Sequence, residues 1–312
     1  MLLLLELSKE HPTLPVAEAR ACLRVCSKEY EEKFHNGIYL ADVEKLNWKE
    51  MALRMAMAFS INEVLGESVD ELLQNLNIDG TFRVEGGSLE ERKRIGEIIA
   101  KEKKAKVCME KPDVVIRLAG NFFCKELSKI DRNSFERRRP SERPFSVPTT
   151  MHPRIARALV NLAEIKKGEK LLDPFCGTGG ILIEGAMIGA KVIGIDVKEK
   201  LIEGCRKNLD FYGLQNYELH VMDMREGAFK VDAIVTDFPY GRASHLSDEM
   251  MKLYKEAIEK MAEWLKKGKK AVFGLPTMEF NREIKKYFEI EQIHPARVHK
   301  SLTRFFYVVR KT

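Results

Sequence analysis

Lys170-Leu171-Leu172-Asp173-Pro174-Phe175-Cys176-Gly177-Thr178-Gly179-Gly180 leads into Ile181–Met187 and then into Lys191-Val192-Ile193-Gly194-Ile195-Asp196. The reading is strand, glycine loop, helix, strand, with each strand ending in an aspartate. Glycines at such a corner let the backbone approach a ligand at the helix N-terminus. The dinucleotide fingerprint G-x-G-x-x-G is not met, because Leu182 stands at its third glycine. A carboxylate beside the loop also repels phosphate and accepts an ammonium group. The corner therefore predicts a cationic, phosphate-free ligand.

Working outward, the same texture continues. The spacing predicts helices over His152–Lys166, Gly180–Met187, Lys198–Tyr212, Asp248–Lys266 and Phe280–Tyr287. It predicts strands over Glu218–Val221, Asp232–Thr236 and Lys270–Phe273. Alternating β and α segments make a doubly wound parallel sheet. Two closing apolar runs, Tyr287–His294 and Phe305–Arg310, have no helix between them, which predicts an antiparallel edge hairpin. Upstream, strands at Leu2–Leu7, Gly37–Val43, Thr81–Val84 and Val114–Leu118 alternate with helices at Val16–Cys26, Val69–Leu76 and Glu90–Lys103. With 312 residues, two domains are expected. The boundary is set at 147/148, and residues 131–147, rich in Arg, Pro and Ser, read as a linker.

Composition excludes several classes. Apolar residues make up 45% and charged residues 32%, enough for real cores, so wholesale disorder is excluded. No apolar run approaches the ~18 residues of a membrane span, and Leu2–Leu5 is too short for a signal-peptide core. Six cysteines without a C-x-x-C pair predict reduced thiols, a cytoplasmic location and no metal site. The net charge of +6 hides an uneven spread. Residues 1–100 carry 12 basic and 18 acidic side chains, and residues 101–150 carry 13 and 7. The cluster Arg137-Arg138-Arg139 with Arg143, and Lys101, Lys103, Lys104 and Lys106 nearby in sequence, suits a polyanion. A solvated linker or an ion-pair network is the alternative.

Three aspartates fall at successive predicted strand ends. Asp173 follows the first strand, with Phe175, Gly177 and Gly179 in its loop. Asp196 ends the second, where a carboxylate can accept both ribose hydroxyls. Asp223 follows the third, where it can take an adenine amine, with Val197 and Met224 flanking the ring. This set suits S-adenosylmethionine. Each aspartate alone is also a good helix cap. Thr149 or Thr150 caps the His152 helix or reaches the methionine carboxylate.

After the fourth strand comes Asp237-Phe238-Pro239-Tyr240-Gly241. It resembles the Asp/Asn-Pro-Pro-aromatic motif of methyltransferases acting on exocyclic base amines. The lone pair of such an amine is delocalised into the ring. Two acceptors on its hydrogens, the Asp237 carboxylate and the Phe238 carbonyl, would raise electron density on nitrogen. Pro239 keeps Phe238 extended, and Tyr240 would stack on the base. The departure is Phe238, where the family usually has proline.

Together, Asp173–Gly180, Asp196, Asp223 and Asp237–Tyr240 resemble a class I S-adenosylmethionine-dependent RNA methyltransferase. The N-terminal pattern, from Val69 to Leu118 with its Arg-rich exit, is similar to a THUMP domain behind a ferredoxin-like segment. The pair resembles the archaeal tRNA (guanine-10-N2) methyltransferases. The resemblance implies a Rossmann-like seven-stranded sheet behind a ferredoxin-like plus THUMP module. It implies methylation of guanine N2 in tRNA, with the THUMP part holding the acceptor end. A small zinc-binding activator subunit accompanies some homologues. A sister family acts at position 6 of tRNA, and adenine-N6 or cytosine-N4 enzymes of DNA or rRNA share the motif. A non-catalytic RNA-binding protein is the rival of another class.

Overall fold

The computed structural model describes residues 1–35, 38–148, 150–239, 247–299 and 302–312, with backbone alone for 34, 35, 298, 299 and 302. The chain forms two compact units whose segments interleave. The first holds Met1–Lys9, Cys26–Leu53 and Ala58–Ile130. The second holds Glu10–Val25, Arg54–Met57 and Asp131–Thr312.

Two early helices are α1 (Leu14–Cys26) and α2 (Trp48–Arg54). In the first unit eight strands make one sheet: β1 (Leu2–Leu7), β2 (Glu29–His35), β3 (Ile38–Glu44), β4 (Ala58–Gly66), β5 (Thr81–Gly86), β6 (Lys106–Val107), β7 (Val114–Ala119) and β8 (Phe122–Lys129). Their order is β2-β3-β1-β4-β8-β7-β5-β6. Helices α3 (Val69–Asn75) and α4 (Leu89–Lys103) each begin with a capping box, Ser68 with Glu71 and Ser88 with Glu91. Leu72, Ile95 and Ile99 of these helices bury against Phe82 and Ile116. Four strands, β2, β4, β6 and β8, go beyond the sequence pattern. The β2 segment carries Glu29, Glu31, Glu32 and Lys33 and has no apolar alternation; its ladder to β3 alone makes it a strand.

The second unit carries a seven-stranded sheet of β9 (Lys170–Asp173), β10 (Lys191–Asp196), β11 (Tyr217–Val221), β12 (Val231–Asp237), β13 (Leu265–Leu275), β14 (Phe288–His299) and β15 (Leu302–Lys311). The order is β11-β10-β9-β12-β13-β15-β14, parallel through β13, with β15 antiparallel to both its neighbours. Around it lie α5 (Arg132–Glu136), α6 (Pro153–Leu162), α7 (Gly180–Met187), α8 (Glu199–Phe211), α9 (Asp248–Trp264) and α10 (Asn281–Ile284). One core gathers Leu14 and Ala17 of α1 with Leu159, Leu182 and Leu209 of α6, α7 and α8. A second gathers Phe238, Phe273 and Tyr307 with Tyr254, Met261 and Ile284 of α9 and α10. Apolar strands covered by helices on both faces are the layered arrangement a parallel sheet requires.

Residues 131–147 depart from the linker reading. They fold as part of the second unit. Phe135 is buried, with the Arg138 guanidinium 4.6 Å above its ring. Arg138 is buried too. It donates from Nε and Nη2 to the two carboxylate oxygens of the fully buried Glu184, at 2.8 and 3.1 Å. Arg157 adds a contact to Glu184 at 2.9 Å. Arg143 is buried, with Nε donating to the Arg138 carbonyl at 2.9 Å. The assignment of Arg138 and Arg143 to RNA is thereby corrected: both guanidiniums are withdrawn from solvent, and Arg138 is spent on a carboxylate. Arg137 and Arg139 remain exposed and pair locally with Asp131 and Glu136.

The same interior holds Glu18 of α1. Its carboxylate accepts from the backbone of Ala56 and Met57 at 3.0 and 2.8 Å and from Asn161 at 2.9 Å. Burial pushes its pKa up to about 7. These contacts explain why segments 10–25 and 54–57 join the second unit, although sequence distance placed them in the first.

Candidate active site

The carboxyl ends of β9, β10 and β12 stand side by side in the sheet, the edge where ligands of open α/β sheets bind. Asp173 ends β9 and is buried. Its Oδ1 accepts from the Thr236 hydroxyl at 2.6 Å and from the Phe175 backbone at 3.1 Å. Burial pushes its pKa up to about 7, against the pull of those two hydrogen bonds; Asp237 and Asp196 push it the same way as burial. A cation arriving there relieves an unfavourable burial. The sequence singled out Asp173 but missed Thr236, a polar residue in the apolar strand Ile234-Val235-Thr236.

Gly177 and Gly179 adopt φ of +51° and +82°. A side chain at Gly177 would meet open space, whereas one at Gly179 would strike Cys205 Sγ at 2.5 Å. Asp196 ends β10 and frames the loop, accepting from Gly177 N at 3.2 Å and from Lys198 N at 2.9 Å. Val197 beside it is 61% exposed. Open backbone at Gly177, a carboxylate at Asp196 and an uncovered apolar side chain fit a nucleoside with a cationic tail.

The rest of the proposed ligand set is placed as follows. Asp223 caps a short 3-10 turn and is gripped by Arg225, from Nε at 2.9 Å and from the backbone at 2.9 Å. That side-chain hydrogen bond holds its pKa below the ordinary value. Met224 is buried in the core with Tyr254 and Ile258, so its side chain serves packing. Thr150 donates to the Val147 carbonyl at 2.8 Å and lies 3.3 Å from the Thr178 hydroxyl. The cap of α6 is not Thr150 but His152, whose Nδ1 accepts from Arg154 N at 3.2 Å. Thr149 and Tyr240 lie outside the described residues.

Asp237 ends β12. Its Oδ2 is 3.1 Å from Arg304 Nη1, and the two side chains are 17% and 11% exposed. Gly274 pairs with Asp237 across β13, and a Cβ there would lie 2.5 Å from Asp237 Oδ1. Glycine is thus required for the carboxylate to lie flat against the sheet edge. Phe238 is fully buried, with ring centroids 5.2 Å from Phe175, 5.0 Å from Tyr254 and 5.7 Å from Phe273. The phenylalanine in place of proline has a physical reason: it anchors the strand end in an aromatic core. Pro239 is exposed, and its carbonyl accepts from the Tyr254 hydroxyl at 2.5 Å. Arg304 and Tyr254 carried no signal in the local sequence, since both reach the motif from later elements.

Residues 140–305 match the model of the RMKL-like methyltransferase domain. The chain is 35% identical to the tRNA (guanine(10)-N2)-dimethyltransferase of Methanothermobacter thermautotrophicus, over 98% of each chain. It is 32% identical to the protein of that name from Pyrococcus abyssi, over 96% of each. The chain belongs to this family of tRNA (guanine(10)-N2)-dimethyltransferases. TrmN from Thermus thermophilus shares the fold across the full length of both chains, with a TM-score of 0.53 at 20% identity. The glycine loop after β9 and the Asp237–Pro239 segment after β12 leave the carboxyl ends of neighbouring strands. Among the described residues no group of His, Cys, Asp or Glu is arranged to hold a metal ion, and no helix is long and apolar enough to cross a membrane.

Proposed function

We infer that this chain transfers methyl groups from S-adenosylmethionine to the exocyclic N2 amine of a guanosine in tRNA, at position 10. The observation that carries the reading is the set of three carboxylates, Asp173, Asp196 and Asp237, at three neighbouring strand ends beside the open Gly177 loop. Near-full-length likeness to dimethyltransferases supports two successive methylations of one amine. The test is methylation of an unmodified tRNA transcript with labelled cofactor and mapping of the product nucleoside. N2,N2-dimethylguanosine at position 10 is expected; label on adenine or cytosine would reject the reading.

In this mechanism Asp196 takes the ribose hydroxyls, Val197 lies against the adenine, and Asp173 faces the cationic tail. Bound there, the cofactor supplies an electrophilic methyl on a sulfonium. The Asp237 carboxylate and the Phe238 carbonyl hold the amine hydrogens and aim its lone pair. Positioning of that kind supplies a large share of such a transfer's rate. We expect Asp196→Ala to weaken cofactor binding by about 2–4 kcal/mol through two lost charge-assisted hydrogen bonds, with the fold kept. An unchanged dissociation constant in calorimetric titration would remove Asp196 from the site.

The first unit, with its eight-stranded sheet, is read as the THUMP-bearing part that holds tRNA. Lys101, Lys104 and Lys106 are exposed and Lys103 half-buried at the end of α4 and the start of β6. Replacing all four with alanine should reduce the log–log salt slope of tRNA binding by about 0.7–0.9 per lost phosphate contact. A slope equal to wild type would move the grip elsewhere. A zinc-binding activator would raise turnover without changing the base chosen; full activity of the purified chain would leave it no role. A cytoplasmic location accords with six cysteines held as thiols.

A further inference from the structure

We propose that Arg304, far from the motif in sequence, is the positioning residue for Asp237: it fixes the carboxylate as an ionised hydrogen-bond acceptor and keeps it from serving as the base that removes the amine proton. This rests on the assignment of Asp237 to the target amine.

Arg304 sits on β15, two strands from β12, one residue before the ladder partner of Leu275. Its guanidinium crosses the edge of β13 at Gly274 to reach Asp237 Oδ2 at 3.1 Å. The short reach exists because Gly274 has no side chain, since a Cβ there would collide with the other carboxylate oxygen. Both partners are largely withdrawn from water, so the attraction is weakly screened. The groups that act on Asp237 include Arg304 from β15, Asp173 from β9 and Tyr254 from α9. The Tyr254 hydroxyl is directed to the Pro239 carbonyl, and Asp173 is a second acid. Arg304 is therefore the one cation among these groups.

The chemistry follows. When the amine nitrogen forms its bond to the methyl carbon, the carbon–sulfur bond breaks and its electron pair stays on sulfur. The nitrogen is left with one proton in excess. A carboxylate tied to a guanidinium is a weakened base, so it holds the amine through the transfer and the proton leaves to water.

The test is the pH dependence of single-turnover methylation at saturating cofactor and tRNA, conditions that keep Asp173 out of the readout. In wild type the rate should persist well below neutrality. Arg304→Gln should move the acid limb upward by about 1–3 pH units, because loss of an adjacent cation makes the carboxyl easier to protonate. Arg304→Lys should restore most of the wild-type limb. A profile of Arg304→Gln superimposable on wild type, with only a lower rate or melting temperature, would overturn the proposal. If Arg304→Gln does not fold, wild type and Arg304→Lys decide: a wild-type acid limb centred above pH 6 would overturn it. Asp237→Ala run alongside separates the two readings. If that variant is active, the catalytic assignment of Asp237 falls. If it is inactive while the Arg304→Gln limb stays put, this proposal alone falls.

Discussion

Asp237→Ala should lower the single-turnover rate of guanine methylation by on the order of 10²–10³-fold, the loss found when one preorganised hydrogen-bond partner of a transition state is deleted. Positive charge develops on the amine as it attacks, and the carboxylate faces it before the reaction begins. Cofactor affinity should remain within a few fold, because Asp173, Asp196 and the glycine loop are untouched. Asp237→Asn should fall between wild type and Ala, since an amide oxygen still accepts one hydrogen but carries no charge. Rapid-quench methylation with labelled cofactor measures the rate, and calorimetric titration measures the affinity. A rate within tenfold of wild type would remove Asp237 from the reaction.

The second large effect concerns stability. Glu184→Ala leaves the guanidiniums of Arg138 and Arg157 buried without their shared carboxylate. Breaking a buried pair on one side costs about 3–5 kcal/mol, because an uncompensated charge stays in a medium that solvates it poorly. Denaturant titration should show the midpoint falling with little change in slope. Arg138→Ala should also destabilise, yet leave the salt dependence of tRNA binding alone, because its guanidinium is buried against Glu184. A midpoint equal to wild type for Glu184→Ala would mean that water or a rearranged partner compensates the charges.

How much of this was legible beforehand depends on distance along the chain. The strands Lys170–Asp173 and Lys191–Asp196 and the helix Gly180–Met187 stand where hydrophobic runs and glycine punctuation put them. Each is dictated by local pattern and by burial on both faces. The carboxylates at the strand ends were legible for the same reason. What escaped depends on partners remote in sequence. Arg304 meets Asp237 through the antiparallel return of β15, and no spacing rule connects them. Residues 131–147 looked like a solvated linker because arginines are usually exposed. The missed sign was Glu184, a lone acid in the apolar helix Gly180–Met187, which must find cations when buried. Strand β2 escaped because an edge strand with charged side chains has no apolar alternation to read.

The interleaving of the two units bears on how the protein is made. From the N-terminus the chain passes between units five times, at about residues 10, 26, 54, 58 and 131. A ribosome releases α1 long before the strands and helices that cover Leu14, Ala17 and Ala21 exist. The first unit's last strand ends at Lys129, so its sheet can close while most of the second unit is still unsynthesised. Throughout that interval, at ~5–20 residues per second, an amphipathic helix waits with its apolar side uncovered. Burial of Glu18 is then a late event, completed only after Asn161 has emerged. The nascent chain is thus exposed to premature association for on the order of ten seconds or more, a demand that a simple head-to-tail pair of domains would not make.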